Sequence, residues 1–172
     1  MTTTIMNRWR MRSKVLVAAA GSVLLISAMD SPAAADPVRW STVVGIEDAN
    51  NVVGNIPGGG QPWTTTGGFA IVDLASGRVE FEVRGLVLAG GNSIGTPDAI
   101  TQVMGTVVCE PGALNLTFNT PLVQLSSRGD AQFVGTIGPI AASCAPSNVA
   151  FLIRIPAGRW IANGAVRVAP GM

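Results

Sequence analysis

The chain has 172 residues, 48% of them hydrophobic and only 12% charged, with 11 basic and 10 acidic side chains and no histidine. Without histidine, the Ser-His-Asp and Cys-His catalytic sets and the usual zinc ligand sets are out of reach. Charge this sparse forms no basic patch to neutralise phosphates, which argues against nucleic acid as a partner.

The N-terminal segment reads as a targeting signal. Arg8, Arg10, Arg12 and Lys14 precede an apolar run of fifteen residues, Val15–Met29, which Asp30 and Pro32 close off. Ala33-Ala34-Ala35 supplies the small residues that a signal peptidase reads, so residues 1–35 are expected to be a secretory signal peptide cut before Asp36. The apolar run is short of the roughly 20 residues that cross a bilayer. An uncleaved anchor is the alternative. No twin arginine and no cysteine follows the pattern of other export routes or of a lipid anchor.

Residues 36–172 then form a mature chain of 137 residues, the size of one domain. It holds seven arginines, no lysine and nine acids, a net charge of −2. Strands are expected over 39–46 and 51–56. The clearest hairpin is Gly68–Leu88, where Ser76-Gly77 is the turn dipeptide between two β-rich runs. In its second arm Val79, Phe81 and Val83 alternate with Arg78, Glu80, Glu82 and Arg84. One face should bury and the other should carry an Arg-Glu-Glu-Arg stripe into water. Asp73, just ahead of the turn, is expected to serve it. Further strands are read at 100–110, 113–118, 122–125, 131–137, 149–155 and 160–168. Thr96-Pro97-Asp98 could open a short helix, although Ile100, Thr101 and Val103 favour a strand soon after.

About ten short strands separated by turns predict an all-β, antiparallel β-sandwich with immunoglobulin-like topology, with a small β-barrel as the alternative. Cys109 and Cys144 are the only cysteines and both lie in the exported part, so one disulfide is expected. Closing a loop of this length would contribute roughly 3–4 kcal/mol. Two free buried thiols are the other reading. Cys109 shares a strand face with Val103 and Val107, so its sulfur should point inward. Two loops stand out by composition, Pro57–Gly68 with Trp63 in its middle and Ala89–Asp98. Long loops at the end of a sandwich commonly carry binding residues.

The available chemistry is limited. There is no tyrosine, and no lysine after cleavage, so Tyr nucleophiles and Schiff bases drop out. A hydrolase would have to work with carboxylates alone. Glu80 and Glu82 share a strand face, but Arg78 and Arg84 flank them and a solvated ion-pair stripe is the plainer reading. Glu47, Asp48, Asn50 and Asn51 read as a turn, since their spacing matches no calcium loop. No cofactor and no metal is expected. Trp160 reads as core. Trp63 and Trp40 are candidate binding residues, because an exposed indole is a good platform for sugars or partner side chains. Trp63 as a lid over the core and Trp40 as core or edge are the competing readings. Arg128 and Asp130, in "SSRGD", match the adhesion tripeptide Arg-Gly-Asp. Strands on either side make the stretch a hairpin loop, with Arg128 at the tip and Asp130 bonding the turn backbone.

The segments "VMGTVVC", "LSSRGDAQFVGTIG" and "FLIRIPAGRWIANGA" resemble a group of small exported bacterial proteins of unknown function over roughly Val103–Val168. The resemblance implies an exported single domain and brings no catalytic residue. The hairpin Gly68–Leu86 is also similar to the strand pair of chordin-type (CHRD) domains. Those carry a histidine motif just afterwards, where this chain has "AGGNSIG". The expectation is a non-enzymatic exported module, secreted, periplasmic or at the cell envelope. It would bind an unknown protein or glycan at the cell surface and hold no transmembrane span after cleavage. The alternatives are a carbohydrate-binding module that uses an exposed Trp and a carboxylate-only hydrolase.

Overall fold

The computed structural model describes residues 36–169. The expected signal peptide lies outside the described residues. What is described is all-β apart from one short 3-10 turn, Pro146–Asn148, and every strand pairing is antiparallel.

In chain order the strands are β1 (Val38–Trp40), β2 (Val43–Gly45), β3 (Val52–Val53), β4 (Ile56–Pro57), β5 (Trp63–Thr64), β6 (Gly67–Asp73), β7 (Arg78–Arg84) and β8 (Val87–Leu88). They continue with β9 (Gln102–Cys109), β10 (Leu116–Asn119), β11 (Val123–Gln124), β12 (Ala131–Thr136), β13 (Val149–Arg154), β14 (Trp160–Gly164) and β15 (Arg167–Val168). One sheet runs β12-β7-β6-β1-β15 and the other β10-β9-β13-β14-β2, with β11 also paired to β9. The pairs β3-β4 and β5-β8 are small additions. The sheets do not close into a barrel, so the expected open antiparallel arrangement holds and the barrel alternative falls. The Pro97-Asp98 segment forms turns and leads straight to β9, as the β-branched residues required.

Two predicted strands, 39–46 and 160–168, each appear as two shorter ones because they change sheets. β1 pairs with β15 in one sheet, and β2 pairs with β14 in the other. Between them the ladder continues across the corner, from Ser41 N–H to Val166 C=O at 2.8 Å and from Ala165 N–H to Thr42 C=O at 3.0 Å. A two-stranded ribbon therefore stitches the sheets together along one side. The opposite side is bounded by β12 in one sheet and by β10 and β11 in the other.

The core lies between the sheets. β7 buries Val79, Phe81 and Val83 and turns Arg78 and Arg84 outward, as the alternation predicted. Arg78 pairs with Glu80 at 3.8 Å and Arg84 with Glu82 at 3.3 Å on the solvent face. Phe81 meets Phe151 of β13 at 5.6 Å between ring centroids, and Phe151 meets Trp40 at 6.0 Å. These rings and their aliphatic neighbours make a single apolar cluster. Fully burying each large side chain is worth roughly 1.5–3 kcal/mol. Cys109 and Cys144 form the expected disulfide, with both sulfur-bearing residues buried. The bond ties the end of β9 to the crossover that follows β12.

The hairpin turn after β6 is built as expected. The Asp73 carboxylate accepts hydrogen bonds from the Ala75 N–H, the Ser76 N–H and the Ser76 hydroxyl. The Ser76 hydroxyl above all holds this carboxyl below its usual value; desolvation opposes it, and the Ser76 and Ala75 N–H groups add to the lowering.

Candidate functional site

Trp40 is 3% exposed and Trp63 6% exposed, so neither offers a ring face to a ligand. The reading of these two as stacking platforms is corrected. Trp40 lies between Phe151 and the Arg167 guanidinium, which sits 5.3 Å from the indole centroid. Trp63 is held in β5 against Leu88 of β8. The loop around it, flexible by composition, is pinned by backbone bonds. Gly58 N–H reaches Asn51 C=O, Gly59 N–H reaches Trp160 C=O and Trp63 N–H reaches Ile46 C=O, all within 2.8 Å. Trp160 is core as expected, and its indole N–H donates to Asn51 C=O at 3.1 Å. A loop that is polar and glycine-rich by sequence thus lies as a cover over the outside of β14.

The Arg-Gly-Asp turn is also not where a hairpin would put it. β11 pairs with β9 of one sheet and β12 with β7 of the other, so Ser126–Asp130 is a crossover between sheets. The turn closes through Ser126 N–H to Asp130 C=O at 2.9 Å. Its Ser126 hydroxyl accepts from the Arg128 and Asp130 N–H groups. The Asp130 carboxylate reaches across to accept the Gly85 N–H at 3.0 Å. Gly129, at φ +81°, is buried with its C=O bonded to the Leu86 N–H, and a Cβ there would overlap the Leu86 backbone. The tripeptide is docked on the sandwich, with only Arg128 and the rim of Asp130 facing solvent.

Beside this turn lies an open cleft of about 500 Å³, where Glu82, Arg84, Gln124, Asp130 and Gln132 surround an apolar strip that includes Val123 and Ala131. Sequence reasoning named Asp130 and the β7 stripe separately. It had no way to bring Gln124 and Gln132 beside them, since that depends on β11 and β12 entering different sheets. The cleft holds two carboxylates, Glu82 and Asp130. Each already has a partner in the fold, Arg84 for Glu82 and the Gly85 N–H for Asp130. The groups present can accept and donate hydrogen bonds to a polar ligand.

A smaller cleft of about 200 Å³ lies between the two predicted loops, over Trp63, Leu88, Ile100 and Ile161, with Asp98 and Arg159 at its rim. Arg159 is bonded to the Asn50 side-chain oxygen at 3.2 Å and the Gly58 C=O at 2.7 Å, and so pins the cover loop. Asn50 and Asn51 serve their own turn in the same way. Among the described residues no group of three or more acidic or cysteine side chains converges on a metal-sized space.

Two further arginines, the half-buried Arg154 and the more exposed Arg167, clasp backbone carbonyls. Arg154 donates to the Gly158 C=O and to the Asn119 side chain. Arg167 donates to the C=O groups of Pro146 and Val149 beneath its stack on Trp40. Burial lowers both guanidinium pKa values, yet arginine stays charged at neutral pH. Both are structural clasps, and each reads in sequence as an ordinary strand charge.

The disulfide, and the absence of any helix long and apolar enough to cross a membrane among the described residues, are compatible with a secreted or envelope protein. No protein-family profile, curated protein or solved structure matches the chain.

Proposed function

We propose that the mature chain is an exported, non-enzymatic binding module of the cell envelope, and that the cleft beside the Ser126–Asp130 turn is its contact surface. One observation carries this reading. The cleft gathers amide and charged side chains, while its two carboxylates already have partners, Glu82 in a surface ion pair with Arg84 and Asp130 on the Gly85 N–H. Such a surface suits a polar, hydrogen-bonding ligand, a surface glycan or a polar protein segment.

The test is co-sedimentation of the mature chain with isolated envelope material, beside a Gln124→Ala/Gln132→Ala variant. Losing the amide contacts should weaken retention by roughly tenfold. Absence of sedimentation, or equal retention of both proteins, overturns the reading. Hydrolysis of an envelope glycan that disappears in Glu82→Gln would replace it with the carboxylate hydrolase, because Glu82 and Asp130 share the cleft.

A further inference from the structure

β12 is the longest strand at the edge of either sheet. The other edge strands are β15 with 2 residues, β2 with 3 and β10 with 4, against 6 in β12. Edge strands in native proteins are usually guarded by Lys, Pro, a bulge or a covering loop. β12, "AQFVGT", has no charge and no proline, and its register with β7 is unbroken.

The direction of its free groups follows from the ladder. Ile137 N–H bonds toward β7 at the Gly77 C=O, while the Asp130 C=O faces the other way and accepts Ser126 N–H. Antiparallel strands alternate, so Ala131, Phe133 and Gly135 bond to β7, and the N–H and C=O groups of Gln132, Val134 and Thr136 point away from the sheet. None of these has a hydrogen-bond partner among the described residues.

We propose that β12 pairs antiparallel with β12 of a second copy of this chain, about a twofold axis at Val134. The three outward residues are symmetric about that point, so Val134 faces Val134 and each Gln132 faces Thr136. Every outward N–H and C=O then finds a partner, which is the self-complementarity a twofold interface requires. On the other face each Phe133 ring already lies over Gly135 of its own strand and comes opposite Gly135 of the second copy.

The charges beside the edge give this register two opposite-charge alignments and one like-charge one. Gln132 is the neighbour of Glu82, and Thr136 is the neighbour of Arg78. Pairing at Val134 therefore sets Glu82 of each copy in line with Arg78 of the other, while the two Glu80 side chains lie in line with one another but are kept apart by both Val134 strands. No like charges face each other directly across the new pair. The contact is one strand wide, smaller than the roughly 1,200–2,000 Å² of stable interfaces. The dimer should therefore be weak and concentration-dependent, with a Kd on the order of 10–100 μM.

Sedimentation equilibrium of the mature chain from about 1 to 500 μM is expected to show a monomer–dimer equilibrium, a range chosen to bracket that Kd. Val134 is 60% exposed, so Val134→Lys should leave the thermal midpoint unchanged while weakening the dimer by roughly tenfold or more, since it sets two like charges face to face. In wild-type protein, amide exchange at Gln132, Val134 and Thr136 should slow as concentration rises, with Ala131, Phe133 and Gly135 unaffected. A monomer at every concentration overturns the proposal. So does a dimer that Val134→Lys leaves intact, or protection of these amides only when a foreign peptide is added.

Discussion

Gly129 is the residue on which the Arg-Gly-Asp turn depends. Its positive φ and its contact with the Leu86 backbone leave no room for a Cβ. Gly129→Ala should therefore cost roughly 2 kcal/mol or more, read as a lower denaturant midpoint. Asp73 makes a pH-dependent contribution. Its carboxyl is held below its ordinary pKa, so the stabilisation is present above the unfolded value near pH 4 and fades as pH falls through the lower folded value. Asp73→Ala should be slightly less stable than wild type at pH 7, by no more than about 1 kcal/mol at this exposed turn, and the gap should narrow as pH falls below the unfolded value. Chemical denaturation above and below that value checks this. Asp73 was legible in the sequence because an Asp ahead of Ser-Gly bonds locally. Gly129 was legible only as a turn residue, since the backbone it touches is 43 positions away in the chain.

Among the elements, the Trp63 segment shows how composition misleads. "PGGGQPWTTTGG" has the make-up of a mobile loop, yet Gly58 and Gly59 bring its backbone into hydrogen-bonding reach of β14, and Trp63, at the start of β5, is buried near Leu88 and Ile161. Trp63→Ala is expected to cost about 3–5 kcal/mol in urea unfolding, the effect of emptying a core site. An unchanged midpoint would mean that the loop is not part of the core. The amphipathic strand β7 was fully readable, because period-two alternation on a half-wet sheet is a local property. The corner strands were readable in part. Val38 and Trp40 bury on even numbers and Val43 on an odd one, and that slip of parity marks the place where the chain leaves one sheet for the other.

At the scale of the whole molecule, the ribbon closes one side of the sandwich and the disulfide braces the other. Replacing Cys109 and Cys144 together by Ala should lower stability by roughly 3–4 kcal/mol, the entropy of the loop they close. The intact mass of the oxidised protein should fall two hydrogens short of the reduced one. A variant as stable as wild type, or two alkylatable thiols in exported protein, would contradict this. A candidate site emerges only at this scale. Gln124, Gln132 and Glu82 come from three strands in two sheets and Asp130 from the turn between two of them, and no spacing along the chain announces their meeting.

By itself, the sequence determined the all-β class, the alternating faces, the turn chemistry and the cysteine pairing. Each of these follows from local stereochemistry, or from there being a single pair to join. The tertiary structure alone decided which strands share a sheet, and with that which side chains meet at the surface. It buried the two tryptophans that looked available, turned an apparent hairpin tip into a docked crossover, and left the neutral strand Ala131–Thr136 at an open edge. Sheet membership depends on contacts between residues far apart in the chain, and a strand's own residues do not encode which neighbour it will take.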